Sequence, residues 1–163
     1  MKNKSVLYLT HAAMIAALYV VLTMIANAFG LASGNIQIRF SEALTILPFF
    51  TPAAIPGLYV GCLISNVAAG AALPDIIFGP LATLLGALGT WALRRNSKWL
   101  APLPPILANA IIIPPVLKYA YGIIPIWFSV VTVTIGEIIS CGVFGMILLF
   151  SLLRYRRQLF PSN

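Results

Sequence analysis

Residues 36–57 read IQIRFSEALTILPFFTPAAIPG, and the fold depends on how this stretch is read. Arg39 and Glu42 stand three residues apart, beside and inside apolar sequence. On a helix that spacing brings both side chains to one face. A charge facing lipid costs about 3 kcal/mol or more, so the pair is expected to face the protein interior or a wet cavity. Pro48, Pro52, Pro56 and Gly57 follow in close order. Proline lacks a backbone donor and clashes with the preceding turn, so the helix breaks and restarts here. The tract is expected to form two short segments rather than one plain span.

The chain around it has 163 residues, 61% hydrophobic and 8% charged. A soluble domain carries about a quarter charged residues. Mean hydropathy is +1.00. These values predict an all-α integral membrane protein, because a backbone in lipid must satisfy its own hydrogen bonds. The apolar run from Val6 to Leu31 is too long for the core of a cleavable signal. Cys62 and Cys141 lie in apolar sequence with no CxxC spacing and read as small hydrophobic fillers. The net charge of +7 could suit nucleic acid, but its distribution argues for membrane topology instead.

Six transmembrane helices are expected, at about 6–29, 38–50, 53–69, 76–93, 103–121 and 126–153, as one domain over 1–163. The loops are expected near 30–35 and 70–74. Pro114-Pro115 is expected to kink the fifth helix. Residues 43–70 carry no charge and could instead form one span about 40 Å long, which gives five spans. The six-span reading puts Lys2, Lys4, Arg94, Arg95, Lys98, Arg154, Arg156 and Arg157 on one side. The positive-inside rule makes that side, and both termini, cytoplasmic. The second helix is short for a span and is expected to be tilted or partly re-entrant.

The remaining charges are Arg39, Glu42, Asp75, Lys118 and Glu137. On this topology all five lie in the outer half or near the midplane. Glu137 is the sharpest: it lies about 16 Å into the last helix at about 1.5 Å per residue, with Gly136 and Gly142 nearby. Its functional reading is a carboxylate facing a polar pocket; its bland reading is an ion pair with Arg39 or Lys118. Arg39 with Glu42 is either a ligand contact or a helix-end ion pair. Asp75 follows Pro74 and reads as a site acid or as its helix's N-cap. Lys118 reads as a ligand contact or as a snorkelling side chain. Asn66 and Asn109 are lone amides that either bridge helices or bind a ligand. Tyr119, Tyr121 and Trp127 mark the outer helix ends, as an interfacial belt or as a stacking surface for a planar heterocycle. His11 reads as structural. In the first helix, Ala12, Ala13, Ala16 and Ala17 form two overlapping small-xxx-small pairs, suited to close helix packing within the chain or with a partner.

No GxxxxGK[ST] phosphate loop is present, so ATP hydrolysis by this chain is not expected. With one histidine, no HExxH and no GxSxG, neither metal nor triad chemistry is expected, and no cofactor. No inverted repeat is evident.

The run Gln37–Gly61, QIRFSEALTILPFFTPAAIPGLYVG, resembles the signature segment of the queuosine-precursor transporter (QueT) family. The resemblance extends over almost the whole chain, in length and charge layout. Members are substrate-binding (S) components of energy-coupling-factor (ECF) transporters, in a prokaryotic plasma membrane. The resemblance implies a transport subunit rather than an enzyme, partnered by an ECF transmembrane coupling subunit and two ATPase subunits. In S components an AxxxA face on helix one contacts the coupling subunit, which Ala12, Ala13, Ala16 and Ala17 match. The implied substrate is a deazapurine, 7-aminomethyl-7-deazaguanine-like. Glu137 would accept hydrogen bonds from the heterocycle edge, Glu42 or Asp75 would lie near the amine, and Tyr121 or Trp127 would stack. An S component for another small vitamin and a self-contained carrier are the alternatives.

Overall fold

The computed structural model describes residues 4–31, 38–123 and 125–159, with side chains up to residue 155. Lys2, loop residues 32–35, Gln37 and the side chains of Arg156 and Arg157 lie outside the described residues. The described residues form helices and connecting turns, with no strand.

Helix α1 is Lys4–Ala28, and a 3₁₀ helix occupies Phe40–Phe49. Then come α2 (Ala54–Ala68), α3 (Leu73–Leu93), a 3₁₀ turn (Lys98–Leu100) and α4 (Leu103–Tyr121). Helix α5 (Ile126–Glu137) continues through a π-helical stretch (Ile138–Phe144) into α6 (Gly145–Leu159). Four stretches are long and apolar enough to cross a membrane: Lys4–Ala28, Leu73–Leu93, Lys98–Tyr121 and Ile126–Tyr155. Phe40–Phe49 and Ala54–Ala68 are apolar but shorter. The helices fall where the hydropathy pattern put them. Pro114 and Pro115 sit inside α4, which runs on through them.

The break at the prolines reverses the chain. Tyr8, in the first turns of α1, donates to the Pro52 carbonyl at 3.4 Å. Thr90 donates to the Ala101 carbonyl at 2.8 Å, and the rings of Trp99 and Phe150 meet edge-on at 5.2 Å. One end of the bundle therefore gathers the start of α1, the 3₁₀-to-α2 turn, the end of α3 and the middle of α6. Arg94, Arg95 and Lys98 belong to this end. The other end gathers the α2–α3 turn and the end of α4, where Tyr121 bonds Asp75 and Ala72.

The 3₁₀ helix is the axis of the bundle. At ten residues it is long for its type, since 3₁₀ runs beyond about four residues are uncommon. Every residue from Ser41 to Pro48 is buried. It packs against α1, α2, α3, the π stretch and α6. Three residues per turn eclipse side chains at i and i+3, so the side chains form three columns shared among these neighbours. Ser41 accepts from Thr23 of α1 at 2.8 Å. Ala43 and Ile46 pack on Gly145 of α6. Glu42 and Thr45 turn to the π stretch, where Thr45 lies 3.3 Å from Cys141 Sγ. The segment's span of about 20 Å, at about 2 Å per residue, is short because other helices cover it on every side. Leu44, Ile46, Leu47 and Phe50 join Ile15, Tyr19, Leu58 and Leu149 in the main core.

Helices α1 and α2 cross closely. A Cβ on Gly57 would stand 2.6 Å from the Ala12 carbonyl, and one on Gly61 3.0 Å from that of Ala16. The exterior is apolar: Leu9, Met14, Ile111 and Ile147 are among many large side chains left exposed, the pattern of a surface solvated by lipid.

Candidate functional site

A cavity of about 840 Å³ opens at the end of the bundle away from Arg94 and Arg95. Its wall includes Arg39, Asn66, Asp75, Tyr121, Ser129 and Thr132. Its size is in the range that holds a small organic ligand. A smaller cavity of about 350 Å³ at the opposite end is lined by Pro48, Phe50, Pro52, Trp91, Arg94 and Arg95, among others.

One wall is a hydrogen-bonded chain across three elements. Asn66, near the end of α2, donates to the Asp75 carbonyl at 3.0 Å. Tyr121, at the end of α4, donates to Asp75 Oδ2 at 2.7 Å, and its oxygen accepts from Ala72 N at 3.1 Å. The local sequence explains the placement. Pro74 starts α3 without needing a donor, and Asp75 follows in the first turn. The N-cap residue itself is Ala72, with no side-chain cap bond. The cap reading of Asp75 is thus corrected: its carboxylate holds Tyr121 instead.

The opposite wall comes from α5. Ser129 and Thr132 lie on its buried face. Thr132 donates to the Ser129 carbonyl at 3.2 Å, while Ser129 Oγ is buried without a hydrogen-bond partner. An unpaired buried hydroxyl costs about 1–3 kcal/mol, and here it sits in a residue that lines the cavity.

Glu137 lies one helical turn below Val133, itself a wall residue, and is 9% exposed. Glu42 is 2% exposed. The two carboxylates, which are 95 positions apart in the chain, meet in the fold: one oxygen of each, with Cys141 Sγ, lies within 4.8 Å of the others. Tyr19 of α1 donates its hydroxyl to Glu42 Oε1. Cys141 Sγ lies 3.1 Å from Glu137 Oε2 and 3.4 Å from the Glu42 carbonyl. Cys141 is therefore a polar member of this cluster and not an inert filler. Its thiol and the two acids are the one group among the described residues with the donors and spacing to hold a metal ion, which the spacing in sequence did not foreshadow. Both unusual helix types converge here, the 3₁₀ helix carrying Glu42 and the π stretch carrying Cys141.

The other sequence candidates separate into groups. Arg39, Asn66, Asp75 and Tyr121 line the cavity together. Arg39 is extended backbone just before the 3₁₀ helix, with its N–H donated to Ser140 Oγ at 3.2 Å. Asn109 is buried, donates to the Pro105 carbonyl at 3.2 Å and neighbours Glu137. Lys118 is half-buried with its ammonium 5.8 Å from the Tyr119 ring, and is not a wall residue. Trp127 is 66% exposed and meets Phe128 edge-on, the position of an interfacial belt. Ala12 and Ala16 are buried against α2, whereas Ala13 and Ala17 are exposed on the outer face.

Tyr19, Ser129, Thr132 and Cys141 were missed as site residues. Two of the signals were available. A tyrosine in mid-span is out of place for a belt residue. Ser129, Thr132, Gly136 and Ser140 recur at spacings of three and four, which is a small polar stripe on one helix face.

The family described as QueT transporter matches residues 9–154 of this chain. The chain is also similar to a protein of Lactococcus lactis subsp. cremoris (strain MG1363) described as a queuosine precursor transporter, QueT. The two are 38% identical over 85 residues, 52% of this chain and 50% of the relative. The match thus spans about half the length of that curated relative. No solved structure matches.

Proposed function

Because this chain belongs to the QueT transporter family, a multi-pass cell-membrane protein of bacteria, we propose that it is the substrate-binding component of an ECF-type importer for a queuosine precursor. The substrate named for the relative is a queuosine precursor. The observation that carries the reading is the cavity holding Arg39, Asn66, Asp75 and Tyr121, with Glu137 one turn beneath. A 7-deazaguanine presents adjacent N–H donors, which one carboxylate accepts together. Glu137 takes that edge, Asp75 or Glu42 lies near an aminomethyl group, and Tyr121 offers a ring face. Ser129 adds an unengaged hydroxyl.

All six apolar segments run from one end of the bundle to the other in this reading, the 3₁₀ helix as a short interior crossing. Arg94, Arg95 and Lys98 then face the cytoplasm by the positive-inside rule, and the cavity faces outward. The chain carries no phosphate-binding loop, so partner ATPases supply the energy through a transmembrane coupling subunit. Ala13 and Ala17 are the alanines of α1 left to meet that subunit. Together these make one membrane domain.

Calorimetry on the purified chain in detergent tests the substrate. The expected result is saturable one-to-one binding of a 7-deazaguanine, weakened at least tenfold in Glu137→Gln. Binding of unrelated vitamins in its place, or an unchanged affinity in Glu137→Gln, sinks the substrate or the residue assignment respectively. Co-purification from native membranes tests the partners: absence of any coupling subunit or ATPase, with uptake indifferent to ATP depletion, points to a self-contained carrier.

A further inference from the structure

Beneath the cavity, Glu42, Glu137 and Cys141 bring three donor atoms within 4.8 Å of one another. They belong to three separate elements: the 3₁₀ helix, the last residue of α5 and the π stretch. Cys141 is 0% exposed and Glu42 is 2% exposed. Glu42 Oε1 already receives the Tyr19 hydroxyl. Glu42 Oε2 is buried with no hydrogen-bond partner. Leaving a buried acceptor unpaired costs about 1–3 kcal/mol, and more for a charged group. Of the two groups gathered beside it, one is a second carboxylate and the other a thiol turned to Glu137. Neither resolves the vacancy on Oε2.

We propose that Glu42, Glu137 and Cys141 form a binding site for one divalent cation of the zinc class. A thiolate with two carboxylates is a donor set for borderline-soft divalent ions, whereas calcium and magnesium ask for all-oxygen shells. The charge balance agrees. Two carboxylates and a thiolate bring three negative charges into an apolar bundle, at a prohibitive cost unless compensated. A divalent ion answers two of them, and Arg39, coupled electrostatically to both acids, answers the third. Outer partners that orient ligands are in place too. Tyr19 fixes Glu42 so that its second oxygen is the free one. Thr45 Oγ1 bonds the Glu42 carbonyl at 2.6 Å and lies 3.3 Å from Cys141 Sγ. The local helix forms explain the meeting. The 3₁₀ winding stacks Thr45 on Glu42, and the π stretch begins directly after Glu137, setting Cys141 on the same side one turn on. Single π turns recur at functional sites. Glu137, the most exposed of the three, lies nearest the cavity and marks the entry path. Glu137 and Glu42 also figure in the substrate reading above, but metal binding is measured here without substrate, so its failure is distinguishable from the failure of that reading.

The test is metal titration of the purified full-length chain after chelator treatment, with Zn²⁺ and with Co²⁺ as the coloured probe. The expected result is one Zn²⁺ retained per chain, and a thiolate-to-cobalt absorption band that excess Zn²⁺ abolishes and Mg²⁺ does not. Cys141→Ser removes the band, Glu42→Gln weakens Co²⁺ binding at least tenfold, and Cys62→Ser changes neither. Wild-type protein that retains no zinc and shows no band overturns the proposal, and so does a band that survives Cys141→Ser. The wild-type stoichiometry decides the matter even if a variant fails to fold.

Discussion

Gly61 of α2 lies so close to Tyr19 of α1 that a Cβ on the glycine would stand 2.7 Å from the tyrosine's own Cβ. The same tyrosine holds Glu42 through its hydroxyl. A helix–helix contact and a site contact thus share one side chain. Gly61→Ala must push the two helices apart, and overpacking of this kind costs about 1–3 kcal/mol. The expected outcome is a lower thermal midpoint together with weaker ligand binding, measured on the same purified sample. Unchanged affinity in a destabilised Gly61→Ala protein would show that Tyr19 does not transmit the packing change to the site.

Tyr121 and Trp127 allow a paired comparison, since one lines the cavity and the other faces outward. Tyr121→Phe keeps the ring but removes the donor to Asp75, which is a charge-assisted bond worth about 1.5–3 kcal/mol. Ligand affinity is expected to fall about tenfold or more, since about 1.4 kcal/mol is a factor of ten. Trp127→Ala is expected to leave affinity within about twofold. The reverse order of effects in calorimetry would place the ligand outside this cavity.

The four alanines of α1 are expected to separate by phenotype. Ala16→Leu meets α2 at Gly61 and is expected to reduce the yield of folded protein. Ala17→Leu points outward and is expected to leave folding and ligand binding intact while uptake in cells falls. If Ala17→Leu transports normally, the outer face of α1 is not a partner contact.

Topology can be read with an impermeant thiol reagent on whole cells, because Cys62 and Cys141 are buried. A cysteine at Ala69, beside the cavity, is expected to label from outside. One at Asn96, between Arg95 and Lys98, is expected to label only after permeabilisation. Labelling of Asn96 from outside, with Ala69 labelled only after permeabilisation, would restore the five-span arrangement.

Much of the fold was legible because its signals are local. Hydropathy located the helices, and the prolines between Pro48 and Pro56 located the reversal. Geometry at finer grain was not legible. Nothing in FSEALTILPF demands 3₁₀ winding; that form arises where five neighbouring elements crowd one short segment. The site was half legible. Arg39, Asp75 and Tyr121 stood out as polar groups at helix ends and Asn66 as a lone amide in an apolar helix, and the cavity gathers them. The proximity of Glu42 to Glu137 and Cys141 depends on packing between positions almost a hundred residues apart. A cysteine in apolar sequence gives no sign of the carboxylate it will meet. Likewise the small-xxx-small pattern of α1 did not say which alanines the chain itself would cover.

The enclosure of Phe40–Phe49 on every side bears on biogenesis. A stretch of ten residues with a glutamate inside is too short and too costly to partition into lipid unaided. Its last wall, the π stretch and α6, leaves the ribosome about a hundred residues later. The nascent chain must therefore keep this segment out of the acyl phase, or shelter it in the insertion machinery, until the C-terminal helix arrives to close the bundle around it.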